Sequence, residues 1–456
     1  MDISQLVQRQ RAFFNTGATR KLAFRQRALD TLRRAIQADE AALFAALKQD
    51  LRKPATEAYM SELGLIFGEL SCITRGLARW DKEKHVHSPL ALLPSKSMIY
   101  REPYGVALIM APWNYPVLLT LGPLIGAVAA GNCCIIKPSA YAPASSAAVT
   151  KLIRTHFPSE HVAVVEGGRA ENQALLEQKF DYIFFTGGAE TGRHVMEKAA
   201  KHLMPITLEL GGKSPCIVDA TARLDMAAKR VAFGKLINCG QTCAAPDYLL
   251  VDKRVKAEFL ERLKYWIAQM YGDDPLRSDG YARMVNRRHF NRVCSLINPE
   301  QVVYGGQVDP DTLKIQPTIL DGVASDDPVM QQEIFGPVLP VLEFEEIQQA
   351  CDIIRQRPSP LALYLFSEDK ALQHDIWNSL RFGGGCINDT VMQIGSATLP
   401  FGGVGESGMG NYHGKRSFEI FSREKSMVRA STRIDLPFRY PPYNEKKDKL
   451  MRFFVK

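Results

Sequence analysis

No Cys-x-x-Cys pair and no Cys/His grouping with zinc spacing occurs in this 456-residue chain, and its nine cysteines are an odd, scattered set. A disulfide framework or a structural metal site is therefore not expected, and most of the thiols read as small buried hydrophobes. Long apolar runs are missing too. The longest, Pro116 to Gly131, is interrupted by Gly and Pro and falls short of the roughly 20 residues a membrane span needs. Met1 to Arg11 is polar, without the apolar core of a secretory signal, so a cytoplasmic protein is expected. There is no internal repeat and no low-complexity tract. The strand-to-helix turn Phe185–Gly192 has Gly-x4-Gly spacing and so lacks the Gly-x-Gly-x-x-Gly dinucleotide fingerprint.

What is present fits a globular chain of two or three domains, with 46% hydrophobic and 23% charged residues. The net charge of +8 is concentrated at the end: Val428 to Lys456 holds eight Lys or Arg against three Asp or Glu. The body is nearly balanced and carries no basic stripe interleaved with aromatics, so nucleic-acid binding is not expected. A basic tail could rest on an anionic membrane surface, but a solvated tail is the simpler expectation.

Leu29, Leu32, Ile36, Leu43 and Leu47 recur at helical spacing and predict one amphipathic helix over Ala23 to Leu47, with a second helical stretch from Glu57 to Trp80. His85 to Lys96, punctuated by Pro and Ser, reads as loop. From Tyr104 short apolar runs (Val106–Met110, Cys133–Ile136, Val162–Val165, Tyr182–Phe185) alternate with helical segments. A second alternation begins near Ser214 with Cys216–Val218 and Tyr248–Val251. Repeated β-α-β-α argues for parallel sheets covered by helices, with ligands at the carboxyl ends of the strands.

Four segments carry chemistry. In Asn238-Cys239-Gly240-Gln241-Thr242-Cys243-Ala244-Ala245-Pro246-Asp247-Tyr248 a thiol sits on an irregular turn just before an apolar strand, where backbone N–H groups can face it. A lone cysteine there would read as a buried structural thiol. In Leu208-Glu209-Leu210-Gly211-Gly212 a carboxylate between two leucines at a strand end is partly desolvated, which lifts its pKa toward that of a general base. An edge-strand Glu in water is the alternative. In Ala111-Pro112-Trp113-Asn114-Tyr115-Pro116 an Asn fixed between prolines and aromatics offers a neutral donor to an oxyanion, unless it merely forms a turn. In Phe185-Thr186-Gly187-Gly188-Ala189-Glu190-Thr191-Gly192 a strand runs into a helix whose N-terminus suits a pyrophosphate.

Together these segments resemble the aldehyde dehydrogenase superfamily along essentially the whole chain. Lys137-Pro138-Ser139, Glu333-Ile334-Phe335-Gly336-Pro337 and Leu399-Pro400-Phe401-Gly402-Gly403-Val404-Gly405 match further blocks in order, and Gly408-Met409-Gly410-x-Tyr412-His413-Gly414-Lys415 with Tyr440-Pro441-Pro442-Tyr443 is similar to the bacterial-type class 3 branch. The resemblance implies an α/β fold: two parallel-sheet, Rossmann-like domains plus a small β oligomerisation arm. The cofactor-binding domain would span 1–84 and 104–210, the catalytic domain 211–404, and the arm with its intersubunit strand 85–103 and 421–440, leaving 441–456 as the basic tail.

It also implies NAD(P)-dependent oxidation of medium-chain aliphatic or aromatic aldehydes to acids through a cysteine thiohemiacetal and thioester. Cys243 would be the nucleophile, Glu209 the hydrolytic base and Asn114 the oxyanion donor. NAD or NADP would be held by Pro112, Trp113, Lys137, Ala140, Arg169, Thr186, Gly187, Gly188, Gly192, Leu210, Glu333 and Phe335, with Glu333 on the nicotinamide ribose, Lys137 on the adenosine ribose and no metal. Gly188 stands where the family more often has Ser or Asn, and Ala140 where it often has a Glu that repels a 2′-phosphate. Loss of that carboxylate, with Arg169 nearby in sequence, predicts that NADP is accepted. Tyr59, Tyr115 and Phe401 are the candidate substrate-pocket aromatics, and a homodimer is the expected assembly. Cys239 is read as a packed bystander, with a redox link to Cys243 as the alternative. Two other functions compete: a coenzyme A-acylating relative, which needs no base such as Glu209, and a catalytically silent structural relative.

Overall fold

The computed structural model describes residues 2–455. Its first sheet has six strands, in the order Gly408–Met409, Ile206–Glu209, Tyr182–Thr186, Val106–Met110, Cys133–Lys137 and Val162–Val164. All neighbours are parallel except Gly408–Met409, which returns antiparallel to Ile206–Glu209. Val106–Met110 and Cys133–Lys137 are buried at every position, which explains their unbroken apolar runs: helices cover both faces, so neither face needs polar residues. One covering helix, Leu118–Ala130, is apolar all round and lies in the core.

The second sheet has seven strands, in the order Val302–Tyr304, Thr318–Leu320, Val338–Phe344, Tyr248–Asp252, Pro215–Val218, Ala362–Phe366 and Gly384–Ile387. Only Val302–Tyr304 is antiparallel to its neighbour. A third, three-stranded antiparallel sheet joins Lys84–Val86, Ser95–Pro103 and Ser422–Ala430.

Two local expectations are corrected, and the tail gains a detail. The single helix over 23–47 is two, Leu22–Ala38 and Glu40–Leu51, broken at Asp39. Its buried apolar positions continue on both sides of the break, so periodicity alone does not show it. The loop over 85–96 contains one strand and opens a second; the exposed side chains of Lys84–Val86 lack alternation, and the hairpin is held by its backbone ladder. The basic tail carries a helix, Glu445–Phe454, capped by Asn444, whose side chain accepts from the Lys447 N–H, and anchored by Phe454 stacked on Phe438. Among the described residues no helix is long and apolar enough to cross a membrane.

Candidate active site

Strand register brings the first sheet's contribution together. Thr186 pairs with Glu209, and Glu209 with Gly408, at the carboxyl end where Pro112-Trp113-Asn114 also emerges. The second sheet faces this edge with the turn before Tyr248–Asp252. Helix Leu224–Leu236 ends there, and Asn238, Cys239 and Gly240 follow in left-handed conformations (φ 54°, 55° and 73°). Gly240 is required twice over: a Cβ there would lie 2.2 Å from the Gly336 carbonyl oxygen, and its φ is positive. This close approach locks the cysteine turn against the Glu333–Pro337 segment. The Gln241 side chain holds the turn from the other side, donating to the carbonyls of Asn238 (3.0 Å) and Arg283 (2.9 Å) and accepting from the Val285 N–H (2.9 Å).

Between the two sheets lies a cavity of about 530 Å³. Of the residues singled out in the sequence, its walls include Pro112, Trp113, Asn114, Thr186, Gly187, Gly188, Glu209, Leu210, Cys243, Glu333, Phe335 and Phe401. Asn114 is buried, and its amide nitrogen donates 3.0 Å to the Gln241 carbonyl. A carbonyl can only accept, so the amide orientation is fixed with its second N–H free. Cys243 is half-buried. Burial pushes its thiol up to about 12, Glu333 and Glu209 add to this, and the N–H groups of Cys243 and Ala244 oppose it. Glu209 is buried, both carboxyl oxygens lack a partner, and desolvation holds its pKa well above the usual carboxylate range. Desolvation in the cleft thus acts on the nucleophile and the base in the same direction, disfavouring the charged form of each.

Glu333 is pushed up to about 8 by burial and by Asp247 beside it, and its Oε1 has no partner. It fills the space that a side chain at Gly211 would need, 2.3 Å from that Cβ position. Trp113 and Phe335 meet edge to face at 5.3 Å. At the turn after Tyr182–Thr186, a Cβ on Gly187 would strike the Phe185 ring at 2.6 Å and one on Gly192 the Leu210 side chain at 2.7 Å. Gly188 differs: nothing stands within 4 Å, so a side chain is tolerated there. The N-terminus of the twelve-residue helix Ala189–Ala200, the unpartnered buried Oγ1 of Thr186 and the free oxygen of Glu333 form a cradle of unsatisfied polar groups that fits a dinucleotide.

Other sequence-predicted residues stand apart from the cavity wall. Lys137 ends its strand, with Nζ donating 2.7 Å to the Pro138 carbonyl. Ala140 is exposed in the following turn, and Arg169 is exposed as the first residue of helix Arg169–Leu176. Tyr59 is exposed, and Tyr115 is buried behind the cysteine turn with its hydroxyl 2.5 Å from the Thr242 hydroxyl. Cys239 is buried, its sulfur 3.5 Å from the Tyr281 hydroxyl and 4.0 Å from the Met284 sulfur, a packed position.

Sequence reasoning missed several wall residues, among them Leu119, His289, Arg292, Gln332 and Tyr412. The His289 ring packs tilted against Trp113 (centroids 4.8 Å apart), and burial, with Arg292 and Arg288 nearby, pushes its pKa down to about 4, which favours the neutral ring. Its helix, Arg287–Cys294, is arginine-rich and lies in none of the segments singled out in the sequence.

The family profile described as "Aldehyde dehydrogenase family" matches residues 1–427. The chain belongs to the aldehyde dehydrogenase family. Its affinities lie in the class 3 branch, and it is an NAD(P)-dependent oxidoreductase acting on aldehydes. It is 46% identical to the 4,4'-diaponeurosporen-aldehyde dehydrogenase of Staphylococcus aureus (strain NCTC 8325 / PS 47), over 99% of both chains. It is 42% identical to the dimeric NADP-preferring aldehyde dehydrogenase of Mus musculus, over 97% of this chain and 98% of that one. The structure described as the substrate-bound state of Staphylococcus aureus AldH superposes with a TM-score of 0.98 at 46% identity, covering 100% of this chain and 99% of the other.

Proposed function

We propose that this aldehyde dehydrogenase works through Cys243, Asn114 and Glu209, and that its substrates are medium-chain aliphatic or aromatic aldehydes. The reading is carried by one observation: thiol, amide donor and unpartnered carboxyl converge on a single cavity from two sheets. Deprotonated Cys243 attacks the aldehyde carbon, and the carbonyl oxygen becomes an oxyanion. The free N–H of Asn114 and the Cys243 backbone N–H donate to it. When bound, the nicotinamide supplies the acceptor for the hydride that leaves the tetrahedral carbon. Glu209 takes a proton from water, the water attacks the resulting thioester, and the acid leaves with Cys243 restored as a thiol. Glu333 and Thr186 offer their free polar atoms to the cofactor, and Gly187 and Gly192 let the turn and the helix start pack closely on Phe185 and Leu210.

Leu119, Phe401 and Tyr412 give the cavity apolar surface near Cys243, which favours aldehydes without a charged tail. The Glu209 carboxyl argues against transfer to coenzyme A, since a thiol acceptor needs no hydrolytic base. Cys243→Ala is expected to abolish oxidation. Asn114→Ala is expected to lower kcat by roughly 100- to 1,000-fold, the usual cost of an oxyanion donor. A Cys243→Ala variant with normal turnover overturns the assignment.

NADP acceptance rests on Ala140 and Arg169. Ala140 is exposed beside the end of the strand carrying Lys137, and no carboxylate stands at that position. Glu171, on the helix that begins at Arg169, accepts from the Gly168 N–H at 2.7 Å. Ala140→Glu is expected to cut kcat/KM for NADP at least tenfold and leave that for NAD little changed; equal effects on both cofactors contradict the assignment.

Homodimerisation through the arm is supported by two unpaired strand edges, Gly384–Ile387 at the rim of the seven-stranded sheet and Ser422–Ala430 at the rim of the arm. The mouse relative's name includes the word dimeric. A cytoplasmic location fits the same reading.

A further inference from the structure

A fully buried ion pair lies behind Asn114. The Lys53 ammonium is 2.5 Å from Glu62 Oε1, and both side chains are 0% exposed. The other oxygen of Glu62 accepts from the N–H groups of Val117 (2.9 Å) and Leu118 (3.1 Å), at the start of the helix that follows Asn114-Tyr115-Pro116. Lys53 donates in turn to the Asn114 backbone carbonyl at 3.4 Å and sits 4.2 Å from the centre of the Tyr115 ring. Glu62 is aimed inward by a π-helical turn, Tyr59–Leu63, set within the helical run Ala55–Trp80.

From Asn114 the connections continue into the nucleophile turn. The Asn238 amide donates to the Asn114 carbonyl (2.7 Å) and to the Gln241 carbonyl (3.2 Å), and the Asn114 amide donates to that same Gln241 carbonyl. The Tyr115 and Thr242 hydroxyls share a hydrogen bond, and Glu57 accepts from the Asn238 N–H at 2.9 Å. Asn114 and Cys243 emerge from different sheets, so no single element sets their separation. Burying two charges is costly, and apolar side chains of the same size would stabilise the fold as well or better. A charge pair does what apolar groups cannot: it binds a carbonyl and two N–H groups of the Asn114 segment in fixed directions.

We propose that Lys53 and Glu62 are positioning residues for the oxyanion site: the buried pair fixes the Asn114 segment against the Cys243 turn. This rests on Cys243 as nucleophile and Asn114 as oxyanion donor. Its effect falls on the step that develops an oxyanion, and it does not touch the reactivity of the thiol itself.

Two rates separate these steps in the full-length enzyme, aldehyde oxidation and alkylation of Cys243 by iodoacetamide, which forms no oxyanion. The double variant Lys53→Met with Glu62→Gln removes both charges and keeps an acceptor for Val117 and Leu118. Its melting temperature is expected near that of the unaltered protein, with kcat reduced at least tenfold and alkylation within threefold. Glu62→Gln alone, close in shape to the native side chain, is expected to lower kcat severalfold with alkylation likewise retained, and it carries the test if the double variant does not fold. Unchanged kcat in the variant tested, or oxidation and alkylation falling together, overturns the proposal. Asn114→Ala in the same assays tests the underlying site: alkylation retained with oxidation lost upholds it, and unchanged oxidation means that the site reading itself has failed.

Discussion

The acidic groups of the cleft share one physical condition, desolvation. Cys243, Glu209 and Glu333 all have raised pKa values with burial as the leading cause. For Glu333 this has a consequence for stability. Its carboxyl binds a proton up to about pH 8 in the fold but releases it near the ordinary value of 4.5 when unfolded. The unfolded state therefore holds fewer protons across that window, and stability falls as pH rises through it, levelling off above 8. Glu333→Gln is expected to flatten this dependence, with a higher melting temperature than the unaltered cofactor-free protein at pH 8 and little difference at pH 4.5. An unchanged pH profile contradicts the burial argument. Cys243, Glu209 and Asn114 each have a bland alternative when their segments are read alone; they were singled out in the sequence only by their combination, and they line one cavity. His289 and Arg292 were not singled out, because their wall position depends on how the Arg287–Cys294 helix meets the cleft, which no local pattern encodes.

Strands and helices were readable where they are buried on both faces. Val106–Met110, Cys133–Lys137 and Tyr182–Thr186 appear as apolar runs because nothing polar can face a covered sheet. The arm showed no strand pattern of its own and was placed only through the family resemblance, since Ser422–Ala430 is mostly exposed and pairs with a strand more than three hundred residues earlier in the chain. At the turns, two glycines of similar appearance in sequence differ in what they do. Gly240 has a positive φ and a backbone oxygen where its Cβ would be, whereas Gly188 faces open space. Gly240→Ala is expected to lower the melting temperature and reduce kcat at least tenfold by displacing the Cys243 turn, while Gly188→Ser folds normally. Thermal melts and steady-state rates compare the two directly, and a Gly240→Ala enzyme with native rates contradicts the role given to the turn.

The whole molecule places a two-sided cleft between sheets whose outer edges remain open. The edge strand Gly384–Ile387 borders a cavity of about 420 Å³ lined by Trp377, Leu380 and Phe382, and the arm strand exposes Met427 and Val428. Pairing of these edges between two copies would cover both. Met427→Asp with Val428→Asp is expected to shift the sedimenting species from dimer toward monomer at micromolar concentration; an unaltered protein that is monomeric, or a variant that stays dimeric, contradicts arm-mediated assembly. For the chemistry at the centre of the molecule, the most direct measurement is intact mass and peptide mapping of Glu209→Gln mixed with NAD and an aromatic aldehyde. Loss of the base stops hydrolysis but not thioester formation. The expected result is a burst of about one reduced cofactor per active site, with an acyl group on the Cys243 peptide. An acyl group on another residue, or steady turnover with no acyl-enzyme, would contradict the account.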